Sequence, residues 1–539
     1  MSVSEQPAAA PDGPVAEIAA GYAVEGAALD LGALLWDGQC HPDARIRVPL
    51  AALNRHGLVA GATGTGKTKT LQLIAEQLSA NGVPVFLADI KGDVSGVAAP
   101  GQDGERVRER AAQVGQEWRA TGFPCEFYGL GGTGPGIPVR ATVTGFGPVL
   151  LSKVLQLNQT QEQSLGLIFH YADAKGLELV DLKDLRAVVA FLVSDTGKAE
   201  LKGIGGLSTV TAGVILRSIT AFEQQGAGGF FGEPEFDTNE FLRTAADGRG
   251  VVSVLELPAV QDKPQLFSTF LMWMLADLFA DLPEVGDLEK PKLVFFFDEA
   301  HLLFSGASKA FRESITQTVR LIRSKGIGVF FVTQTPKDVP SDVLAQLGNR
   351  VQHALRAFTP DDAKALKATV RTFPHSPYDL EEVLTGLGTG EAVVTVLSER
   401  GAPTPVAATR LRAPESLMGP IDAAALDAAV KASPLYGRYA EAVDRESAYE
   451  RLTAEQRAAE TAALEAAAAE EAERADKADE AEKGEAAGRR PGARAPKPEP
   501  SLAEQVVGSG IFTSLARSIG TQLGREISRS IFGTARRRR

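Results

Sequence analysis

The 539-residue chain is poor in the residues that mark several functional classes. It has two cysteines, Cys40 and Cys125, and six scattered histidines. Two thiols cannot build a disulfide framework, and no CxxC or HExxH spacing occurs, so a stapled secreted scaffold and a zinc enzyme are both excluded. A reducing, cytoplasmic compartment is the expectation. Long hydrophobic runs are also missing. The most apolar stretch, near Leu266 to Leu282, is broken by Asp277 and falls short of the roughly 18 to 20 residues that a bilayer span needs. The first residues, MSVSEQPAAAPDGP, have no basic stretch followed by an apolar one, so no export signal is expected and residues 1–24 read as a disordered leader. Positive charge is in the minority, 56 Lys and Arg against 68 Asp and Glu, a net of −12. That balance argues against a protein that coats nucleic acid uniformly, and no basic stripe interleaved with aromatics is visible.

What is present is ordinary globular composition, 44% hydrophobic and 23% charged, in a chain several times a typical domain of roughly 150 residues. Residues 25–56 carry short alternating runs and read as a small β element. From 57 to about 420, continuous apolar runs alternate with helical patterns, as strands buried on both faces of a parallel sheet should. The strand candidates are 57–60, 83–88, 251–257, 293–297, 329–332, 351–357 and 391–397. The fold class expected is α/β, a three-layer sandwich on a mostly parallel sheet. About 160 residues separate the second and third candidates, and helical periodicity through them points to a helical insertion at about 140–245.

Beyond 421 the composition turns to alanine and glutamate, expected as a long polar helix to 487. A Pro-rich linker over 488–500 and a basic amphipathic tail over 501–539 follow. Charge is segregated here: fifteen acidic and six basic residues lie in 441–488, against three acidic and eleven basic in 489–539. A polybasic amphipathic tail suits protein partners, an anionic membrane surface approached peripherally, or DNA phosphates, and does not choose among them.

Chemistry concentrates in one motif and its partners. Gly61-Ala62-Thr63-Gly64-Thr65-Gly66-Lys67-Thr68 fits GxxxxGK[ST] in full, after an apolar strand and before a helical run. Such a loop wraps backbone N–H groups around phosphates, with Lys67 on the β and γ phosphates and Thr68 on a magnesium ion. ATP and Mg²⁺ are therefore the cofactors expected. A second apolar run ends in Asp298-Glu299, one carboxylate to hold the hydrated metal and one to polarise the attacking water. Gln334, after the run 329–332, is placed to sense the γ-phosphate or orient water, or simply to cap its loop. Arg323 is the candidate for an arginine reaching into a neighbouring subunit's site, ahead of Arg350 and Arg356. The charged segment Asp89–Asp93 falls on the same strand-end edge. His301 reads as a capping residue without a catalytic role.

These pieces resemble the HerA/FtsK superfamily of P-loop motor ATPases, most closely the bacterial HerA-like helicase C-terminal domain proteins of the YjgR type. The carriers are GATGTGKT at 61–68, ADIKGD at 88–93, FFFDEAH at 295–301, FVTQTP at 331–336 and LGNRVQHALRAFTPDD at 347–362. The resemblance covers roughly residues 25–420. It implies a RecA-like fold, the roles given above for Lys67, Thr68, Asp298, Glu299, Gln334 and Arg323, a homo-oligomeric ring that is usually a hexamer, and action on DNA by translocation or unwinding. The alternative class is an ATP-controlled oligomeric scaffold without motor activity.

Overall fold

The computed structural model describes residues 13–286, 288–304, 309–398 and 401–487. The linker and basic tail expected over 488–539 lie outside the described residues. Contacts divide the chain into two units, 1–456 and 457–539.

The first unit is built on one twelve-stranded sheet. Its strands are β1 (Ala28–Trp36), β2 (Gln39–Pro49), β3 (Gly57–Ala60), β4 (Val85–Asp89), β5 (Cys125–Leu130), β6 (Ile137–Val139), β7 (Val252–Glu256), β8 (Leu293–Phe297), β9 (Ile327–Thr333), β10 (Asn349–His353), β11 (Glu391–Thr395) and β12 (Ala407–Leu411). They lie in the order β2-β1-β12-β11-β10-β3-β9-β8-β4-β7-β5-β6. From β10 to β6 every pairing is parallel, and from β10 back to β2 every pairing is antiparallel. The fold is thus α/β, a parallel core with a four-stranded antiparallel extension.

The parallel strands are the continuous apolar runs of the sequence. β3, β4, β7, β8 and β9 are buried at every residue, which a sheet covered on both faces requires. The Phe295-Phe296-Phe297 run shows how both faces fill. Phe295 and Phe297 share one face, their ring centroids 5.9 Å apart, while Phe296 packs on Phe330 at 5.2 Å. Gly57 leaves room for that packing, since a Cβ there would lie 2.1 Å from the Phe330 ring.

Between β6 and β7 the chain forms the helices Pro148–Val154, Gln159–Ala174, Leu182–Leu192 and Thr209–Gln224. Two of them start on full capping boxes, Asn158 with Gln161 and Asp181 with Asp184, so the backbone N–H groups of each first turn find side-chain acceptors.

Two expectations change. Residues 14–22, read as part of a disordered leader, form the helix Pro14–Gly21. Its Ile18 is buried, as is the adjacent Tyr22, whose hydroxyl donates to Val394 O at 2.8 Å and to Pro405 O at 2.6 Å. One apolar side chain and one buried phenol are enough to tie down so short a segment. The hairpin β1–β2 is no separate element either, because β1 pairs with β12 and extends the main sheet. The apolar stretch at Leu266–Leu282 becomes the core helix Pro264–Asp281, and among the described residues no helix is long and apolar enough to cross a membrane. The long polar helix runs from Ala448 to Ala487. Within 457–487 its surface carries i,i+4 pairs such as Glu473–Lys477 at 2.6 Å.

Candidate functional site

The C-terminal ends of β3, β9 and β8 set the site. Strand β3 delivers the chain into Gly61–Thr68, and the helix Lys67–Ala80 follows at once. Gly66 is its N-cap at φ 112° and ψ 11°, a left-handed conformation that glycine adopts without strain. No side chain caps this helix, so its first-turn N–H groups point to the loop as donors for an anion. The loop is clamped from three strand ends: Gly61 N donates to Thr333 O at 3.2 Å, Ala62 N to Ala354 O at 2.8 Å, and Gly390 N to Thr65 O at 3.0 Å. Lys67 is buried and folds onto the loop itself, its Nζ donating to Gly61 O at 2.7 Å and Ala62 O at 3.1 Å. Burial lowers its pKa against the opposing charge of Glu299. Thr68 is half-buried one residue further on.

Asp298 and Glu299 follow β8 on the same edge, with β9 between them and the loop strand. Strand spacing puts the two places about 10 Å apart, a distance that a triphosphate spans. Asp298 is 3% exposed. Its Oδ1 accepts from Glu299 N at 2.9 Å, and its Oδ2 has no partner among the described residues. Burial pushes its pKa up to about 7, against the pull of Lys91. Glu299 sits at φ 46°, a left-handed backbone that a β-carbon resists and that costs of order 1 kcal/mol. Its Oε1 accepts from Lys91 Nζ. Its Oε2 lies 3.2 Å from His301 Nδ1 without hydrogen-bond geometry.

Lys91 belongs to the loop that follows β4. Asp89 shapes that loop by accepting from the N–H groups of Lys91 (3.2 Å), Gly92 (2.7 Å) and Val94 (2.8 Å). Burial alone would lower the Lys91 pKa, but the Glu299 contact and the charges of Asp298 and Asp93 outweigh it and raise it.

The structure therefore brings Gly61, Ala62, Thr63, Gly64, Thr65, Gly66, Lys67, Thr68, Asp298 and Glu299 to one edge. Gln334 joins them, exposed at the end of β9 between the loop strand and the acids. Arg323 does not join. It is exposed in the turn Arg323–Lys325 that leads into the N-terminal end of β9, at the opposite edge. Arg350 is also near that edge, its Nη1 donating to Thr372 Oγ1 at 2.7 Å. Arg356 lies on the loop side, beside Gly64 and Thr65.

Sequence reasoning missed His353. It is fully buried under the loop, its Nε2 2.8 Å from Thr70 Oγ1, and burial holds its pKa down at about 4. A neutral imidazole thus braces the first turn of the loop helix. A histidine ending an apolar strand gave no signal of this. Lys91 was legible only as one charge in a charged segment, because its partner is 208 residues away in sequence.

The model of the helicase HerA-like C-terminal family matches residues 36–539. A probable helicase, MJECL08, of Methanocaldococcus jannaschii is 29% identical over 153 residues, 26% of this chain and 28% of that protein. The DNA double-strand break repair helicase HerA of Sulfurisphaera tokodaii is 32% identical over 108 residues, 20% of this chain and 21% of that protein. The chain thus matches between a fifth and three tenths of the length of these curated relatives. Among solved structures, the bacterial conjugative coupling protein TrwBdeltaN70 in an unbound form aligns at 14% identity and TM-score 0.48, over 74% of this chain and 91% of that one. Plasmid coupling protein TrwB in complex with ADP and Mg²⁺ aligns at 15% identity and TM-score 0.47, over 73% and 98%. On the family match over most of its length, which takes in the phosphate loop and the paired strand-end acids, the chain belongs to the helicase HerA-like C-terminal family.

Proposed function

We propose that this chain hydrolyses ATP with magnesium and couples turnover to movement along DNA as a ring of identical subunits. The observation that carries the chemistry is the shared edge: an uncapped helix start and Lys67 on one side of β9, a buried acid pair on the other. The residues fit a divalent cation, because Asp298 Oδ2 is buried without a partner and an unpaired carboxylate there is costly. Asp298 and Thr68 would hold the ion, which supplies charge neutralisation to the phosphates when bound.

The chain's own groups do the rest. Lys67 exchanges the carbonyls of Gly61 and Ala62 for the β and γ phosphates, trading two neutral acceptors for anionic ones. Glu299 accepts the proton of the attacking water, which requires its release from Lys91. Gln334, exposed at the end of β9, orients that water or touches the γ-phosphate. Arg323 faces away from its own site, so its catalytic role is on a neighbour, and a ring supplies one. Movement on DNA is the part that family membership supports, since the relatives are described as helicases.

The test is ATP turnover and particle mass measured with and without duplex and single-stranded DNA at low salt, where phosphate contacts are strongest. Several-fold stimulation is expected. An unchanged rate removes the motor and leaves the scaffold. Mixing Arg323→Ala with Lys67→Ala subunits should restore partial turnover, and its absence in proven mixed oligomers removes the trans arginine.

A further inference from the structure

The antiparallel extension of the sheet carries a cavity of about 640 Å³ that the phosphate loop and the acid pair do not line. Its lining combines the buried Leu35 and Ala408 with Val383, Leu387 and the rings of Trp36 and Tyr378. The two rings meet edge to face, centroids 4.9 Å apart at 60°, an arrangement that aromatic pairs prefer. The Tyr378 hydroxyl donates to Leu35 O at 2.9 Å. Tyr378, Val383 and Leu387 also pack on a small second core that includes Leu355, Leu384 and Val393. Trp36 leads into a two-residue hairpin turn, Asp37 and Gly38, at φ 50° and 72°. Such a turn matches the twist of its strands and holds the lip of the cavity in place. The walls are set before anything binds.

Three carboxylates border this cavity: Asp37, Glu382 and Glu391. Glu391 is committed to Arg410 at 2.7 Å. Asp37 and Glu382 make no ion pair among the described residues. Aromatic rings beside unneutralised carboxylates attract a cation that brings its own flat apolar group. The same carboxylates repel DNA phosphates and anionic lipid.

The chain itself displays the matching pair. Phe358 is 82% exposed, the most exposed large hydrophobic residue among those described. Arg356 lies 5.9 Å from its ring centroid, is exposed, and makes no ion pair among the described residues. The other cation–aromatic pairs described either bury part of their ring or, at Tyr449, use a cation already spent, since Lys183 pairs with Glu450 at 3.1 Å. A phenyl ring left in water forgoes burial energy that a docked one recovers. Its exposure shows that it does not enter the cavity of its own chain.

We propose that Phe358 and Arg356 of one subunit seat in the Trp36–Tyr378 cavity of a second copy, the phenyl ring against the aromatic wall and the guanidinium toward Asp37 and Glu382. This rests on the ring reading above and names a contact that holds the ring together. A chain that offers the projection at one place and the cavity at another makes a head-to-tail contact, and such contacts close into rings. Arg356 thereby acts on a neighbour by holding it, with no part in the neighbour's nucleotide chemistry.

The experiment measures the mass of the full chain by sedimentation across a dilution series with ATP present. The wild type should assemble. Phe358→Ala should weaken assembly at least about tenfold, the scale of losing an aromatic anchor from an interface. Arg356→Glu and Glu382→Arg should each weaken it several-fold. Combined in one chain they should restore assembly to within about threefold of wild type, because the charges have exchanged places. All three positions are exposed, so the fold of the single chain does not depend on them. The proposal is overturned by a Phe358→Ala chain that assembles as the wild type does, or by a double exchange that assembles no better than Arg356→Glu alone. Failure of the ring reading has a different signature: the wild type would then sediment as a single chain at every concentration.

Discussion

The two edges of the parallel sheet both bury polar groups, but they dispose of them differently. At the N-terminal edge the groups are neutral and spent on the backbone. Asn349 donates from Nδ2 to Ala52 O at 3.0 Å and His56 O at 2.9 Å, and accepts from Leu397 N at 3.3 Å. His56 accepts from Val329 N at 3.0 Å on its Nδ1, and burial holds its pKa down at about 4, so the ring stays uncharged. Its Nε2 has no partner, which for a neutral nitrogen is a modest cost. At the C-terminal edge, beside the neutral His353 Nδ1 and Thr335 Oγ1, the buried atoms without partners among the described residues include carboxylate oxygens: Asp298 Oδ2, Glu299 Oε2 and Glu256 Oε1. Burying those is far more expensive. One edge spends its polarity on holding the sheet together; the other holds charge in reserve for something that is not protein.

The largest effects should come from the charged edge and leave the fold alone. Lys67→Ala removes the only lysine within the loop and should cut ATP affinity more than 100-fold, read by calorimetry. Glu299→Gln keeps the shape and loses the base, so ATP affinity should stay within threefold while turnover falls at least 100-fold. Equal loss of binding in both would erase the distinction between a phosphate ligand and a proton acceptor. Asn349→Ala tests the other edge. It removes three side-chain hydrogen bonds to the backbone and should cost about 2–3 kcal/mol of stability, with ATP affinity per folded molecule unchanged. A drop in affinity without a drop in stability would break the contrast between the edges.

Much of this contrast was open to a reader of the sequence, and the exceptions have physical causes. The strands β3 and β8 sit where the apolar runs end, because a strand buried on both faces has no polar residue to blur its limits. The run expected over 351–357 stops at His353 instead. Ala354 and Leu355 remain apolar but leave the sheet to clamp the phosphate loop and pack on Leu384, so composition continued where geometry did not. Strands β5, β6 and β12 gave no run at all. β5 carries Glu126, which is tolerable inside a sheet only because Arg243 reaches it at 2.9 Å from over a hundred residues away. β6 is three residues long with a proline at its centre. The phosphate loop and the acid pair were legible because their chemistry is local. Lys91 and His353 were not, because each depends on a partner that only the fold supplies.

The smallest expected effect is also the subtlest test of the charged edge. Glu256 ends β7 in register with Asp89 on β4. Burial first, then the charges of Asp89 and Asp93, push its pKa up to about 8 from an ordinary carboxyl value of 4.5. Between those two values the folded chain holds a proton that the unfolded chain has released. Stability contributed by this group is therefore full below about pH 4.5 and is lost as pH rises through 8. Glu256→Gln is isosteric and cannot ionise, so it should remove that loss: stability near wild type at pH 5, and higher than wild type at pH 8.5 by of order 1–2 kcal/mol in a denaturant titration. Asn349→Ala should show no such pH dependence, because the network it breaks is neutral. A Glu256→Gln chain that tracks wild type across pH 5–8.5 would mean that the carboxylate finds water or a cation at that edge, and that the charge there is not stored at the expense of the fold.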